Sequence, residues 1–245
     1  MADSARLSLR RTAGYVVEPL LRRPLLLLTL AATWAILALA TRMAFSTGIL
    51  PAGEGAVWRR LADTLVVALT SGFLLQACLS SWRTTAEEPG RLAHVFPPWS
   101  ALPTIVASEF IRNLIGIGAR STTENLDALG PLLLASTAWQ ALLTVFLGFA
   151  VPIALDRGTG LIASAQASLE LTHGRRWLML GLSAAAALAL GLVQAVALLA
   201  IGAARSPALL SALVVVYTGA SVLALAGLYR EFVGLRDQTT AETFD

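Results

Sequence analysis

Long apolar runs separated by short polar stretches dominate the chain, and this pattern predicts helices that cross a membrane. Six runs have about 20 residues or more, which suffices to span the hydrocarbon core at about 1.5 Å per residue. They cover residues 24–45, 61–81, 99–118, 131–154, 177–203 and 207–229. The sequence therefore predicts an all-α, polytopic transmembrane helical bundle of about six spans.

Two further segments are amphipathic and are expected to lie on the membrane surface. Residues 4–21 set arginines against leucines and valines before the first span. Residues 159–173, between the fourth and fifth spans, place Leu161, Ala165 and Leu169 four residues apart on one helical face. Gly174 follows at the point where a left-handed conformation would end this interfacial helix.

These elements divide the chain into three parts. Residues 1–23 form an amphipathic N-terminal surface helix, and residues 24–230 form the transmembrane domain. Residues 231–245 form a polar C-terminal tail, which we expect to be loose after Arg230. The last span is expected to begin with Ser206 as its N-cap and Pro207 at its first position.

The composition agrees with a membrane location. Hydrophobic residues make up 56% of the chain, charged residues make up 13%, and the mean hydropathy is +0.72. A soluble domain has about 25% charged residues, because charged side chains cover its surface. These values exclude a soluble enzyme, a disordered protein and a nucleic-acid-binding protein, and they assign most of the chain to lipid.

The positive charges indicate the orientation of the bundle. All 18 basic residues are arginines, and they lie singly or in pairs at the ends of apolar runs, except Arg112, which lies within a run and is counted on neither side. If residues 99–118 cross the membrane, the side that holds both termini has 12 arginines and the other side has 5; otherwise the division is 9 against 8. Because basic residues are enriched in cytoplasmic loops, six spans with both termini in the cytoplasm are favoured.

Residues 151–180 contain the most specific motif of the chain. A Pro-containing turn is followed by an acidic residue, a glycine, a short helix and the pattern S-x-x-L-T-x-G-x-R-W. The motif residues are Pro152, Asp156, Gly158, Ser168, Leu171, Thr172, Gly174, Arg176 and Trp177. This stretch resembles bacterial six-span proteins related to the glycerophosphoryl diester phosphodiesterase membrane domain.

The resemblance implies a multi-pass protein of the bacterial cytoplasmic (inner) membrane. It concerns the membrane part of that family and not the catalytic barrel, so it implies a fold without a defined chemistry. The family usually has Glu where this chain has Asp156, which is a departure from its pattern.

The middle of residues 99–118 holds the polar side chains most expected to have a binding function. Glu109 and Arg112 stand three positions apart, beside Asn113. A charge inside a membrane costs roughly 2.5–3.5 kcal/mol on insertion scales, so these residues are candidates for binding a substrate or relaying protons. Two alternatives are that the charges neutralise each other inside the bundle, or that this helix lies at the interface.

Other polar and small residues within the spans also have two interpretations. Gln76, Gln140 and Gln194 either line a polar pathway or join helices through hydrogen bonds. Small residues allow close approach of a helix, from the same chain or from a partner. Such a stripe occurs in the fifth span at Ser183, Ala187, Gly191 and Ala195, and a weaker version, interrupted by a leucine, occurs in the sixth at Gly219, Leu223 and Gly227.

The sequence contains no arrangement typical of catalysis. His94 and His173 lie in different loops without a second ligand at metal-binding spacing, and Cys78 is the only cysteine. No nucleophile–base pair, paired carboxylates or phosphate-binding glycine loop is recognisable. We therefore expect no enzymatic activity, no metal site and no cofactor.

Two functions remain open. The first is a non-catalytic accessory or scaffold subunit, with the lipid bilayer and other membrane proteins as partners and no nucleic acid. The alternative is a small transporter or channel that uses Glu109, Arg112 and the intramembrane glutamines, with a small-molecule substrate that the sequence does not identify.

Overall fold

The computed structural model describes residues 9–46, 55–83, 96–119, 126–182, 184–185 and 207–244. Within these ranges the chain is almost entirely helical and has no strand, so the all-α prediction is confirmed. The helices are α1 (Leu9–Arg22), α2 (Pro24–Ser46), α3 (Gly55–Arg83), α4 (Leu102–Ala119), α5 (Leu126–Leu147), α6 (Ala150–Arg157), α7 (Leu161–Leu171), α8, which begins at residue 176, and α9 (Pro207–Phe244). Outside the described residues lie His94, Gln194, Ser206 and the small-residue stripe of the fifth span.

Three stretches of the described helices are long and apolar enough to cross a membrane. They are Pro24–Thr41, Arg60–Trp82 and Ala138–Arg157. Only 11% of the first stretch is buried inside the protein, against 61% of the second. Such apolar outer surfaces are stable in lipid and costly in water, which agrees with a membrane protein. The count of six spans stays a prediction.

α3 is the central helix of the bundle and contacts α2, α4, α6 and α9. All residues from 74 to 81 are buried, so the C-terminal part of α3 is enclosed on every side. The close approach of α4 depends on Gly72, because a Cβ at this position would lie 2.9 Å from the terminal methyl of Ile105. The other helices pack around this axis.

The segment predicted as the fourth span, residues 131–154, is not one continuous helix. α5 ends at Leu147 and α6 begins at Ala150, after a turn at residues 148–149. Pro152 has no backbone N–H, so in a continuous helix its hydrogen bond to the carbonyl four residues earlier would be missing. The N–H groups in the first turn of a new helix make no such bond, so a proline loses nothing there. The restart of the helix therefore accommodates Pro152.

α1 and α2 are separated at Arg23, immediately before Pro24. Proline disfavours the helical conformation of the residue before it, and it is well suited to the first position of a new helix. α1 therefore ends at Arg22, one residue beyond the predicted end, and α2 covers the predicted first span. Both elements are helices, as expected from the sequence.

α9 extends well beyond the predicted sixth span. It begins at Pro207 and has 38 residues, which gives a length of about 57 Å, compared with about 30 Å for a hydrocarbon core. The segment after Arg230, predicted as a polar tail, is helical as far as Phe244. Glu231 and Phe232 are buried against neighbouring helices, and this packing supports the extension.

Candidate functional site

The polar residues predicted as a binding site lie on α4, which packs between α3 and α5. The carboxylate of Glu109 accepts a 2.9 Å hydrogen bond from the side-chain amide of Asn113. This amide also donates to the Glu109 backbone carbonyl at 3.0 Å. Among the side chains that the structure describes, no ion pair joins Glu109 to Arg112. The carboxylate is thus held by an amide one turn along the helix, and all three residues are half-buried.

The predicted glutamines lie in different environments. Gln76 is buried within α3, and Gln140 is exposed on α5. Beside Gln140, the indole N–H of Trp139 donates to the backbone carbonyl of Ile111 at 2.8 Å. A hydrogen bond between α5 and α4 is therefore made by a tryptophan that the sequence pattern did not indicate.

The small-residue stripe of α9 faces the interior of this chain. Gly219 lies against Leu74 of α3, where a Cβ on the glycine would be 3.9 Å from a leucine methyl. At Gly227 the approach is much closer: a Cβ would lie 2.7 Å from a Val16 methyl and 3.2 Å from the Thr12 carbonyl oxygen. Gly227 therefore allows the backbone of α1 to cross α9 directly.

Ser168 of α7 joins the two ends of the broken helix. Its hydroxyl donates to the carbonyl of Phe146 at 3.1 Å and accepts from the backbone N–H of Phe149 at 3.2 Å. Helix ends leave such backbone groups without intrahelical partners, and buried ones must find a partner elsewhere. A single serine thus satisfies a donor and an acceptor at the α5–α6 turn.

The fully buried side chains on and next to α7 are polar, and the large apolar side chains of its first turn are exposed. Ser164, Ser168 and Thr172 are fully buried, whereas Leu161 and Ile162 are exposed. The sequence predicted that the apolar stripe would press on the membrane or on the bundle. Because Leu161 and Ile162 are exposed, they do not pack against the bundle, and the membrane is their expected environment.

Further residues of the motif over 151–180 shape the turns around α7. Gly158 and Gly174 both adopt positive φ, 64° and 76°, and the left-handed conformation predicted for Gly174 is confirmed. The carboxylate of Asp156 accepts a 2.9 Å hydrogen bond from the Tyr229 hydroxyl of α9. At the start of α8, the Arg176 guanidinium lies 5.0 Å from the ring centroid of Phe146. The motif thus organises the corner between α5 and α8.

The densest charged contact of the described chain surrounds Arg230 of α9. Its guanidinium carbon lies 4.6 Å from the ring centroid of Tyr15 and 4.8 Å from that of Trp82. One of its nitrogens is 3.1 Å from a carboxylate oxygen of Glu18, whose other oxygen is 2.7 Å from Arg22. Arg230 therefore connects α1, α3 and α9 through two aromatic stacks and one carboxylate.

Two more contacts tie α1 to this end of the bundle. Arg22 also donates to the backbone carbonyl of Ser81 at 3.2 Å, near the C-terminus of α3. Arg11 pairs with Glu231 at 3.6 Å, and the Glu231 side chain is almost completely buried. Arg22 thus joins α1 to α3 and Arg11 joins it to α9, so the N-terminal helix is held by charge and hydrogen bonding as well as by packing.

Sequence reasoning missed the contacts of Arg230. Glu18 and Arg230 are 212 positions apart, so no periodicity relates them. One signal was present in the sequence: Glu18 is the only acidic residue among the five arginines of residues 4–23. A lone carboxylate among arginines favours a cationic partner, but which arginine it pairs with across the chain depends on the tertiary fold.

Comparisons of this chain with protein-family models, with curated proteins and with solved structures found no match. In the part of the chain that the structure describes, no group of three or more His, Cys, Asp or Glu side chains is placed to hold a metal ion. The charged side chains around Arg230 are engaged with one another, so their evident physical role is to fix the helix ends.

Proposed function

We propose that this chain is a non-catalytic accessory or scaffold subunit of the bacterial cytoplasmic membrane, related in fold to the membrane domain that residues 151–180 resemble. The single observation that carries the proposal is the surface of α2. Leu28 and Ile36 are 65% and 67% exposed, and the Pro24–Thr41 stretch is the least buried of the three candidate spans. Such a helix has a large outer face available for lipid or for another membrane protein.

The composition of this face favours a protein partner. Thr29 and Thr33 are exposed one turn apart, and their hydroxyls donate to the carbonyls of Leu26 and Thr29 at 2.8 Å. Their polar groups are therefore satisfied within α2, and small side chains of this kind allow a second helix to approach closely in lipid. The rest of the face is aliphatic and suits the same contact.

The proposed topology has six spans with both termini in the cytoplasm. Contacts between helix ends support it, because the arginine distribution assigns these ends to the same, cytoplasmic side. Arg22 contacts Ser81 at the end of α3, Tyr229 contacts Asp156 at the end of α6, and Arg175 lies against Phe232. Ends that are assigned to the same side of the membrane are thus close in space.

Photo-crosslinking from α2 in intact cells tests the accessory function. A benzoylphenylalanine at Ile36 should give a protein adduct of defined mass, whereas the same substitution at Leu142, an exposed apolar position of α5, should give lipid adducts or none. Lipid adducts alone at both positions would contradict a protein partner on α2. Identical protein adducts at both positions would show that the contact is not specific to this helix.

Cysteine labelling tests the topology. Single cysteines at positions 50 and 125 should be labelled from outside the cell, and cysteines at positions 90 and 166 only after permeabilisation. Native Cys78 is fully buried and should contribute little background. Labelling of all four positions from the same side would exclude six spans with both termini inside.

The alternative function, a small transporter or channel, is favoured by one observation: Glu109 and Asn113 form a polar pair on a helix packed between α3 and α5. Proton flux into vesicles that contain the purified chain, followed with an enclosed pH-sensitive dye, tests this function. We expect no flux above that of protein-free vesicles. Flux that is abolished by Glu109→Gln would establish the alternative.

A further inference from the structure

We propose that α1 and the corner around α7 form one rim that binds the anionic phosphate headgroups of a lipid leaflet. The rim comprises residues 9–23, 156–178 and 229–232. This inference rests on the proposed membrane location and adds to it the chemical class of lipid and the surface that recognises it.

Glu231 and Phe232 are neighbours on α9, and each contacts one half of the rim, so both halves lie at the same end of the bundle. Glu231 pairs with Arg11 of α1 at 3.6 Å. The ring centroid of Phe232 lies 6.0 Å from the guanidinium carbon of Arg175, immediately before α8. α1 and the α7–α8 corner therefore flank α9 at the same end of the bundle, although 160 positions separate Arg11 from the end of α7 at Leu171.

Each half of the rim exposes large apolar side chains. On α1, Leu21 is 77% exposed, and Val17 and Leu20 lie beside it. In the corner, Ile162 is 74% exposed and Trp177 is 85% exposed. Apolar side chains flanked by basic residues enter the boundary between headgroups and acyl chains, and tryptophan is enriched there. Both halves thus have the side chains of an interfacial surface.

The charge of the rim complements an anionic leaflet. Its eight arginines and four carboxylates leave a net charge of +4. The arginines are Arg10, Arg11, Arg22, Arg23, Arg157, Arg175, Arg176 and Arg230. The carboxylates are Glu18, Asp156, Glu170 and Glu231. Three of the four carboxylates already have partners within the protein: Glu18 and Glu231 bind arginines, and Asp156 binds Tyr229. The excess positive charge of the rim attracts anionic headgroups, with about 1 kcal/mol gained for each basic residue near the surface.

Fluorescence quenching in vesicles tests the lipid class with the full chain. An environment-sensitive fluorophore is attached to Ile162→Cys, and the protein is reconstituted in equimolar phosphatidylglycerol and phosphatidylcholine, with bromine on one lipid or on the other. One basic residue near an anionic surface strengthens binding roughly fivefold, so brominated phosphatidylglycerol should be preferred at least about fivefold. The preference should fall as salt is added. Equal quenching by the two lipids would overturn the proposal.

Charge substitutions at two exposed positions identify the cause of the preference. Arg10→Gln with Arg157→Gln should reduce the preference severalfold, because both side chains are exposed and the change removes two positive charges from the rim. The matched control, Arg10→Lys with Arg157→Lys, keeps both charges and should retain the preference. An unchanged preference in the glutamine variant, or an equal loss in both variants, would contradict recognition by charge.

Flotation separates this inference from the proposed function. After washing at alkaline pH, an integral membrane protein should float with its vesicles. If the wild-type chain does not float, the membrane function itself fails. If it floats and the two brominated lipids quench equally, the chain is a membrane protein without an anionic rim.

Discussion

Glu18 of the N-terminal helix and Arg230 of the last helix form an ion pair at 3.1 Å. The contact closes the bundle, because it connects the first described helix to the last across 212 positions. Both side chains are partly exposed, at 25% and 33%, so their direct attraction is screened by water. The aromatic rings of Tyr15 and Trp82, whose centroids lie 4.6 and 4.8 Å from the guanidinium carbon, are expected to contribute more.

Replacing Arg230 by lysine should separate stacking from charge. Arg230→Lys keeps the positive charge near Glu18 but loses the planar guanidinium that lies against two rings. An ammonium still attracts the rings, so only part of each contact, worth about 0.5–1 kcal/mol at exposed sites, is lost. We expect a loss of up to about 1 kcal/mol, measured as a lower unfolding temperature in detergent. Arg10→Lys, at an exposed position of α1, is the control, and an equal effect of both changes would argue against the stack.

The crossing of α1 over Gly227 should not tolerate a methyl group. Gly227→Ala would place a Cβ 2.7 Å from a Val16 methyl and near the backbone of Thr12, and overpacking of this kind costs about 1–3 kcal/mol. Gly234→Ala, on the same helix with nothing within 4 Å, should be neutral or stabilising by up to about 1 kcal/mol. Thermal unfolding compares them, and a Gly227→Ala protein as stable as the Gly234→Ala protein would refute the close crossing.

Removal of the Ser168 hydroxyl should loosen the α5–α6 turn. Ser168→Ala leaves the buried N–H of Phe149 without its 3.2 Å acceptor, and an unsatisfied buried group costs about 1–3 kcal/mol. Hydrogen–deuterium exchange should report faster exchange of the Phe149 amide, together with lower thermal stability. Gln166→Ala, on the exposed side of α7, should change neither. Slow exchange in the Ser168→Ala variant would mean that another group satisfies this amide.

Two glycines on either side of α7 should respond differently to alanine. Gly174 has φ of +76°, a conformation that costs an L-residue roughly 1–2 kcal/mol, so Gly174→Ala should destabilise by about that amount. Gly160 has φ of −75°, which alanine adopts without strain, and equally open space. Gly160→Ala should therefore lose only the modest preference for glycine at the N-cap and destabilise less than Gly174→Ala. Equal unfolding temperatures for Gly174→Ala and Gly160→Ala would contradict backbone strain at position 174.

The helices and several of their ends were predictable from the sequence. Apolar runs long enough to span a membrane predict helices, because backbone N–H and C=O groups in lipid or in a packed core must be hydrogen-bonded. A helix makes these hydrogen bonds within its own segment. Pro24 and Gly174 mark a helix start and a helix end through their own backbone geometry, which needs no partner. The six-span count and its orientation also come from the sequence, and they stay predictions.

The partners of the polar side chains were decided by the tertiary structure. Glu109 and Arg112 are three positions apart, which suggested an ion pair, yet the Glu109 carboxylate accepts a hydrogen bond from Asn113. Side-chain rotamers and the neighbouring helices select among the groups within reach. Ser168 and the α5–α6 turn lie about 20 residues apart, and Glu18 and Arg230 lie at opposite ends of the chain. Local propensity determines which segments are helical, whereas the choice of contacts between distant residues depends on how those helices pack.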